Sequence, residues 1–263
     1  NSQTFTGTTT LDGAVVINQS SADVDFRVES NGNANMLFVN GGTDSIGIGT
    51  ASPARTLSVE SAGNRIVTLK HTDGTHAYIT FSDTDTTDDG SVRVGALGND
   101  LILHAGGERM RVSSAGVVTM PLQPAFLVKK NADQNDIAVN THTTVPFQTE
   151  VFDTNADFAS NTFTAPVAGK YLLGCSILFN EPAQDADYIS IRIKTSNRDY
   201  RGSMQDYAGM DAALVYWSVG NSFVCDMDAN DTVFVSFYQS GGTAQTNILE
   251  SADTTNFYGY LLG

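Results

Sequence analysis

The sequence predicts an all-β protein built from two parts, a repetitive β-shaft over residues 1–120 and a β-sandwich head over residues 121–263. Only 16% of the residues are charged, and Thr, Ser, Asn and 24 Gly take their place, a composition typical of short strands joined by tight turns. Strand-and-turn segments recur along the first part. The second part has longer apolar strands with aromatic residues and no helical periodicity.

The acidic charge balance excludes some functions. A net charge of −15 and a pI of about 4.4 argue against binding to the phosphates of DNA or RNA. No apolar run approaches the roughly 18 residues of a membrane span, so membrane insertion is not expected. The acidity suggests that a structural divalent cation such as calcium assists the assembly of several copies. The chain begins at Asn1 rather than Met, which suggests a fragment.

Local patterns in the first part predict short strands. Residues 14–17 (AVVI) follow a turn at Asp12-Gly13. Residues 23–30 (DVDFRVES) alternate polar and apolar side chains with the period of two of a half-buried strand. Further strands are predicted over residues 36–39, 77–81, 91–96 and 101–105.

A weak repeat connects three places in the first part. It reads VESNGN, VESAGN and VSSAGV at residues 28–33, 59–64 and 112–117. Each copy is predicted to be the end of a strand followed by a glycine turn. Short stacked units bury little surface alone, so we expect this part to wind together with other copies of the chain.

Two segments of the first part are similar to a known fibre pattern. Residues 23–30 with residues 45–53 (SIGIGTASP) resemble the "DFRVES … VGIGTSSP" pattern of bacteriophage tail-fibre shafts, and residues 108–116 (ERMRVSSAG) resemble the element that closes such repeats. The resemblance covers about residues 5–120 and extends to other virion fibres and some bacterial surface proteins. The prolines at residues 121 and 124 then favour a stiff connector.

An acidic loop at residues 83–90 (DTDTTDDG) has a spacing similar to that of a calcium-binding loop. An EF-hand requires Glu at its twelfth position, and that position is Val94. The sequence therefore favours a solvated hairpin tip.

The second part is predicted to be a β-sandwich. Residues 188–194 (YISIRIK) place isoleucines on one face by strict alternation, and residues 232–238 (TVFVSFY) are denser, as in a strand covered on both faces. The remaining strands are predicted over residues 125–128, 145–148, 151–153, 162–173, 212–219, 222–225 and 257–262. This number of strands without a helix is typical of a sandwich.

Within that part, residues 162–173 (TFTAPVAGKYLL) predict two strands that meet at a corner. Pro166 cannot donate to a ladder, and Gly169 permits close backbone approach. The segment resembles the "F-T-A-P-x-x-G-x-Y" corner of complement C1q-like heads, which belong to the tumour-necrosis-factor jelly-roll group.

Three further segments resemble motifs of that group, and they occur along the chain in the same order as in the group. Residues 124–126 (PAF), 230–235 (NDTVFV) and 255–262 (TNFYGYLL) resemble its opening, its "G-D-x-V-x-V" strand and its ending. Asn230 replaces the usual glycine, and Tyr258 replaces a small serine. The resemblance implies a jelly-roll head over about residues 124–263 that assembles as a homotrimer.

The candidate receptor-binding surface is the connection predicted over residues 195–211. Aromatic and arginine side chains among small polar residues are typical of binding loops, because rings stack on sugars and Arg pairs with carboxylated or phosphorylated glycans. The side chains concerned are Arg198, Tyr200, Arg201, Met204 and Tyr207. Alternatively, some of these aromatics pack in a trimer interface or against the strands of the same head.

Three aromatic residues lie on the last predicted strand: Phe257, Tyr258 and Tyr260. In C1q-like heads this strand runs near the threefold axis. The resemblance therefore implies that these residues form the trimer interface.

The remaining reactive side chains predict neither an enzyme nor a metal site. Cys175 and Cys225 lie in apolar runs and are expected to be free, buried thiols, with a disulfide as the alternative. No His or second Cys lies at ligand spacing from either thiol. The four histidines are scattered without a neighbouring nucleophile motif, so no catalytic residue and no cofactor is predicted.

Together these patterns predict a trimeric phage tail fibre in the virion that attaches to the host bacterial surface, through a glycan or a protein, and joins other tail proteins. The alternative is a structural virion fibre or appendage whose head registers and caps the trimer without a receptor role. A bacterial surface adhesin with the same modules is a third hypothesis.

Overall fold

The computed structural model describes residues 4–17, 22–72, 74–88, 90–207, 214–251 and 253–263, and the chain divides into two compact units. One unit ends at Tyr78 and the other begins at Ile79. The boundary predicted from the two prolines, between residues 120 and 121, lies within the second unit. Throughout the described ranges the regular structure is β-strand, and no helix that could cross a membrane occurs.

The first unit contains one small sheet. Its strands are β1 (Phe26–Val28), β2 (Leu37–Asn40), β3 (Ser45–Ile48) and β4 (Leu57–Val59). The first three strands pair antiparallel, and β3 pairs parallel with β4. A Cβ at Gly47 would lie 2.2 Å from the carbonyl oxygen of Thr50, and one at Gly49 would lie 2.1 Å from that of Glu60. Both positions therefore need glycine, because the backbone approaches too closely for a side chain.

The strand predicted over residues 14–17 does not form. Val15, Val16 and Ile17 are 55%, 67% and 58% exposed, and no strand is assigned to residues 4–17. An extended apolar segment becomes a strand only where another strand accepts its hydrogen bonds, and none of the described strands of this chain pairs with it.

A second small sheet begins at the boundary, which falls within its first strand. It runs in the order β5 (His76–Thr80), β6 (Val92–Leu97), β7 (Asp100–Ala105), β8 (Glu108–Val112) and β9 (Val118–Thr119). The acidic loop joins β5 to β6, and its carboxylates accept hydrogen bonds within the turn, from Asp85 N to Asp83 Oδ1 and from Gly90 N to Asp88 Oδ1. The loop therefore connects two paired strands, as expected of a hairpin tip.

The three copies of the sequence repeat share one local structure. Val28, Val59 and Val112 are the last residues of β1, β4 and β8, and a turn or bend follows each of them. Beyond this point the copies differ, because one small sheet contains a parallel pair and the other is antiparallel at every pair described. The repeat therefore marks strand ends rather than a repeated sheet.

The rest of the second unit is a jelly-roll sandwich. Its strands are β10 (Ala125–Lys129), β11 (Thr143–Thr144), β12 (Thr149–Asp153), β13 (Phe158–Ala159), β14 (Thr162–Thr164), β15 (Gly169–Asn180), β16 (Tyr188–Thr195), β17 (Asp199–Gln205), β18 (Tyr216–Met227), β19 (Thr232–Ser240), β20 (Asn247–Ile248) and β21 (Asn256–Leu261). One sheet, the first sheet of the head, has the order β12-β10-β21-β15-β18, with β20 also paired to β15. The other, the second sheet, has the order β13-β14-β19-β16-β17, with β11 also paired to β19. Successive strands alternate repeatedly between the sheets, as in a jelly roll; among the described strands, the chain stays in one sheet only at β13–β14, β16–β17 and β20–β21.

The core lies between these two sheets. Phe126 stacks on Phe163 with ring centroids 4.6 Å apart and meets Phe257 edge-on at 5.0 Å. The predicted corner is confirmed, since β14 and β15 belong to different sheets and the connection between them contains Pro166. The hydroxyl of buried Tyr171 donates to the carbonyl oxygen of Val167 at 2.8 Å and closes that corner.

Predictions for three segments of the head need correction. Residues 145–148 are buried at Val145 and Phe147 but are not a strand, since they connect β11 to β12. The strands predicted over residues 212–219 and 222–225 are a single strand, β18, while residues 212 and 213 lie outside the described residues. The connection predicted over residues 195–211 contains a whole strand, β17.

Candidate functional site

The predicted receptor-binding residues fall on two sides of the β16–β17 hairpin. Arg198 lies in the hairpin turn, and Arg201 and Met204 point outward from β17; all three are exposed. Tyr200 points inward instead, and its ring lies 5.3 Å from that of Phe223.

Tyr207 also departs from the predicted surface. It is 1% exposed and packs edge-on against Trp217, with the ring centroids 5.9 Å apart. The two tyrosines fill space beside β18, because large rings gain more from leaving water than from staying on a polar loop. Tyr200 and Tyr207 are therefore packing residues of the head in the single chain.

Strand alternation builds a different surface on the outer face of the second sheet. On β16 the isoleucines face the core, so Ser190, Arg192 and Lys194 face outward. On the neighbouring β19, Phe234 and Tyr238 face outward opposite them. The outer faces of β16, β17 and β19 thus place cations and aromatic rings side by side.

Arg192 is the centre of this surface and is only 4% exposed. Its Nη1 donates to Asp199 Oδ2 at 3.0 Å, and its Nε donates to Ser190 Oγ at 3.3 Å. Its guanidinium carbon lies 5.4 Å from the centre of the Tyr238 ring. A charge buried to this degree requires such partners, since desolvation without them would destabilise the fold by several kcal/mol.

His142 lies over the same group. Its Nε2 is 3.3 Å from Arg192 Nη1, and its ring lies 4.6 Å from that of Tyr238. Because a guanidinium can only donate, Nε2 accepts this hydrogen bond and the imidazole is neutral. Desolvation of its ring lowers the pKa of His142, and the positive charges of Arg192, Lys194 and Arg201 lower it further.

Two more cations flank Arg192. Arg201 faces it in the register of β16 with β17, and Lys194 follows two residues along β16 with its Nζ 5.8 Å from the Phe234 ring centre. Asp199 also pairs with Arg201, at 3.7 Å from Nε. Among the described residues, Asp199 is the one carboxylate that forms ion pairs with Arg192 and Arg201.

Sequence reasoning missed most of this surface. The alternation of YISIRIK already places Arg192 and Lys194 on one face, so that pattern contained a usable signal. His142 carries no such signal, because it lies 50 residues before Arg192 and reaches it only through the pairing of β11 with β19.

The predicted trimer-interface residues also divide. Phe257 is fully buried in the core of its own head and packs on Phe126. The prediction that it contacts another copy is therefore wrong for this side chain. Tyr258 and Tyr260 are 36% and 43% exposed on the outer face of the first sheet. Tyr258 covers Gly174 on the neighbouring strand, where a Cβ would lie 2.3 Å from the ring.

The outer face of the first sheet is apolar around these tyrosines. The register places Leu127 beside Tyr258 and Leu172 beside Tyr260. On the next strands outward, Phe152 lies beside Leu127 and Val224 lies beside Leu172. Phe152 and Val224 are 49% and 58% exposed. This set of six side chains is called the apolar face below.

The thiols and carboxylates form no further site. Cys175 and Cys225 are free and buried, and burial raises the pKa of Cys175 to about 12, which makes that thiol unreactive. In the part of the chain that the structure describes, no group of three or more His, Cys, Asp or Glu side chains is arranged to hold a metal ion.

Comparisons with known proteins return structures only. No protein-family profile and no curated protein matches the chain. The globular domain of zebrafish complement 1qA protein matches with a TM-score of 0.40 and 20% identity, over 54% of this chain and 98% of that one. Murine APRIL, in structures at pH 8.0 and 8.5, matches with a TM-score of 0.39 and 14% identity, over 53% of this chain and 99% of the other.

Proposed function

We propose that the protein is a homotrimeric fibre of a phage virion that attaches to the host bacterial surface through its C-terminal head. The head acts by binding, with three identical copies giving avidity, and not by chemistry. The shaft-like sequence of the first part supports the fibre assignment. The observation that carries the proposal is the apolar face, which the single chain leaves open to water.

A second copy of the chain is the occupant that fits the apolar face. Each chain has a net charge of −15, so copies repel one another except where they meet through uncharged surface. The apolar face supplies such a surface, with aromatic side chains of the kind that dominate oligomer contacts. The cationic surface lies on the other sheet, so association through the apolar face leaves it accessible.

The assembly is tested by measuring mass in solution. Light scattering at micromolar concentration should give about three times the 28.0 kDa of one chain. Tyr260→Asp and Val224→Asp each place a charge in the apolar face and should release monomers. Met204→Asp is the matched control, since Met204 is 54% exposed on the other sheet, and it should leave the trimer intact.

A monomeric wild-type chain would contradict the proposal. Attachment is tested separately, by adsorption of the labelled trimer to a panel of bacterial species. Saturable binding to a subset of species is expected. A trimer that binds none of them would leave only the role of a structural fibre cap.

A further inference from the structure

The outer face of the second sheet concentrates positive charge in an acidic protein. Four of the seven Lys and Arg residues after Pro121 lie on the β16–β17 hairpin. Three of these four, Arg192, Lys194 and Arg201, lie close together on its outer face. Asp199 neutralises one of these charges. The remaining excess creates a locally positive surface that attracts anions to a chain whose overall charge repels them.

Aromatic rings lie directly beside these cations. His142 is exposed and rests on Tyr238, which also packs near Tyr188 with ring centroids 6.0 Å apart. Flat rings next to hydrogen-bond donors suit a sugar, because the C–H face of a pyranose packs on a ring while its substituents reach polar groups.

We propose that this surface binds a carboxylated saccharide, with Arg201 and Lys194 binding the carboxylate and the Tyr238–His142 pair stacking on the sugar ring. The inference rests on the proposed attachment function and names the chemistry of its ligand. Arg192 is a positioning residue, since its Nε and Nη1 are already engaged and hold Asp199 and His142 in place.

The rigidity of the surface supports this assignment. The cations project from paired strands rather than from a loop, and Asp199 accepts a hydrogen bond from Arg192 at 3.0 Å and lies 3.7 Å from Arg201 Nε. A preorganised Arg loses little conformational entropy on binding and can pair with a carboxylate through two parallel hydrogen bonds. No hydrogen bond from the described residues engages Arg192 Nη2, which leaves a further donor beneath the site.

The test uses the full chain with tetragalacturonic acid as the probe and its methyl ester as the uncharged control. Calorimetry should show saturable binding of the acid and at least tenfold weaker binding of the ester. By NMR, binding of the acid should raise the pKa of His142, because a bound anion stabilises the imidazolium. Equal binding of acid and ester, or no saturable binding of the acid, would overturn the proposal.

Two matched variants locate the site. Arg201→Gln combined with Lys194→Gln should weaken binding of the acid at least tenfold. Arg198→Gln removes one charge from the exposed turn of the same hairpin, and it should change the affinity for the acid by less than about twofold. An equal loss in both proteins would show nonspecific attraction by net charge and reject the site.

Saccharide binding and adsorption to bacterial cells are measured separately, so failure of the saccharide site can be told apart from failure of the proposed attachment function. A trimer that binds the acid but adsorbs to no bacterial cells would contradict the attachment function and leave the saccharide site standing. Adsorption that is unchanged by Arg201→Gln with Lys194→Gln would contradict the saccharide site as the point of attachment.

Discussion

Single residues show where this chain adjusts to the backbone geometry of its fold. Asn230 lies in the turn before β19, and its φ is +72°, in the left-handed region. Asn tolerates this region better than other non-glycine residues, so the turn before β19 keeps its shape. Its backbone N–H donates to the carbonyl oxygen of Ala165 at 2.8 Å and ties this turn to the proline corner.

Lys130 gives the residue-scale prediction. It is 1% exposed, and burial lowers its pKa to about 8, against an ordinary value of 10.5. Between these two pH values the unfolded chain holds a proton that the folded chain has released. The free energy of unfolding should therefore rise as pH increases from about 8 to about 10.5.

Urea unfolding at several pH values measures this contribution. Lys130→Met should remove the rise with pH that Lys130 contributes. Lys129→Met changes the adjacent, half-buried lysine and should keep it. Identical pH profiles for the wild type and Lys130→Met would show that Lys130 is not desolvated in the folded state.

At the scale of elements, the β16–β17 hairpin depends on one buried ion pair. Arg192 is almost fully buried, whereas its partner Asp199 is partly exposed. Asp199→Asn removes the negative charge and leaves the guanidinium with neutral partners. We expect a loss of about 2 kcal/mol in the free energy of unfolding, since breaking a buried pair from one side leaves a desolvated charge.

Denaturant unfolding checks this value. Asp226→Asn is the control, because Asp226 is an exposed carboxylate on β18, and it should change stability by less than about 0.5 kcal/mol. A loss in Asp199→Asn that is as small as in the control would mean that Arg192 is stabilised mainly by Ser190, His142 and Tyr238.

The strand β18 shows why one element was misjudged from sequence. Gly220 and Asn221 are typical turn residues, and they divide two apolar runs. In the fold, Asn221 is buried. Its Nδ2 donates to the carbonyl oxygen of Ile191 at 3.2 Å, and its Oδ1 accepts from Ser203 Oγ at 2.7 Å. These partners lie on the other sheet, 30 and 18 residues away, and they convert an expected turn into the middle of a strand. Local propensity could not reveal them.

For the whole molecule, acidity is the main electrostatic cost of assembly. A homotrimer carries about three times the charge of −15, so cations that accumulate around it should stabilise it. We propose that a divalent cation such as calcium contributes by reducing this repulsion. Adding EDTA to the trimer should lower its Tm by several degrees, with sodium chloride at the same ionic strength as the control. An unchanged Tm would remove the cation from the proposal without affecting the trimer.

The sequence by itself determined the all-β class, the proline corner at residues 162–173, and most strands of the head. Their periodicity and turn residues are local properties, and a period of two survives in any sheet that buries one face. It also predicted free cysteines at Cys175 and Cys225 as the favoured alternative, which the structure confirms.

Only the tertiary structure decided which side chains meet. It moved Tyr200, Tyr207 and Phe257 from predicted surfaces into the packing of the head, and it brought His142 onto Arg192. Those outcomes depend on which strands pair and in what register, and the pairings join residues as far apart in the sequence as Ala125 and Tyr260. Register follows from burying the whole core at once, a property that no short stretch of sequence contains.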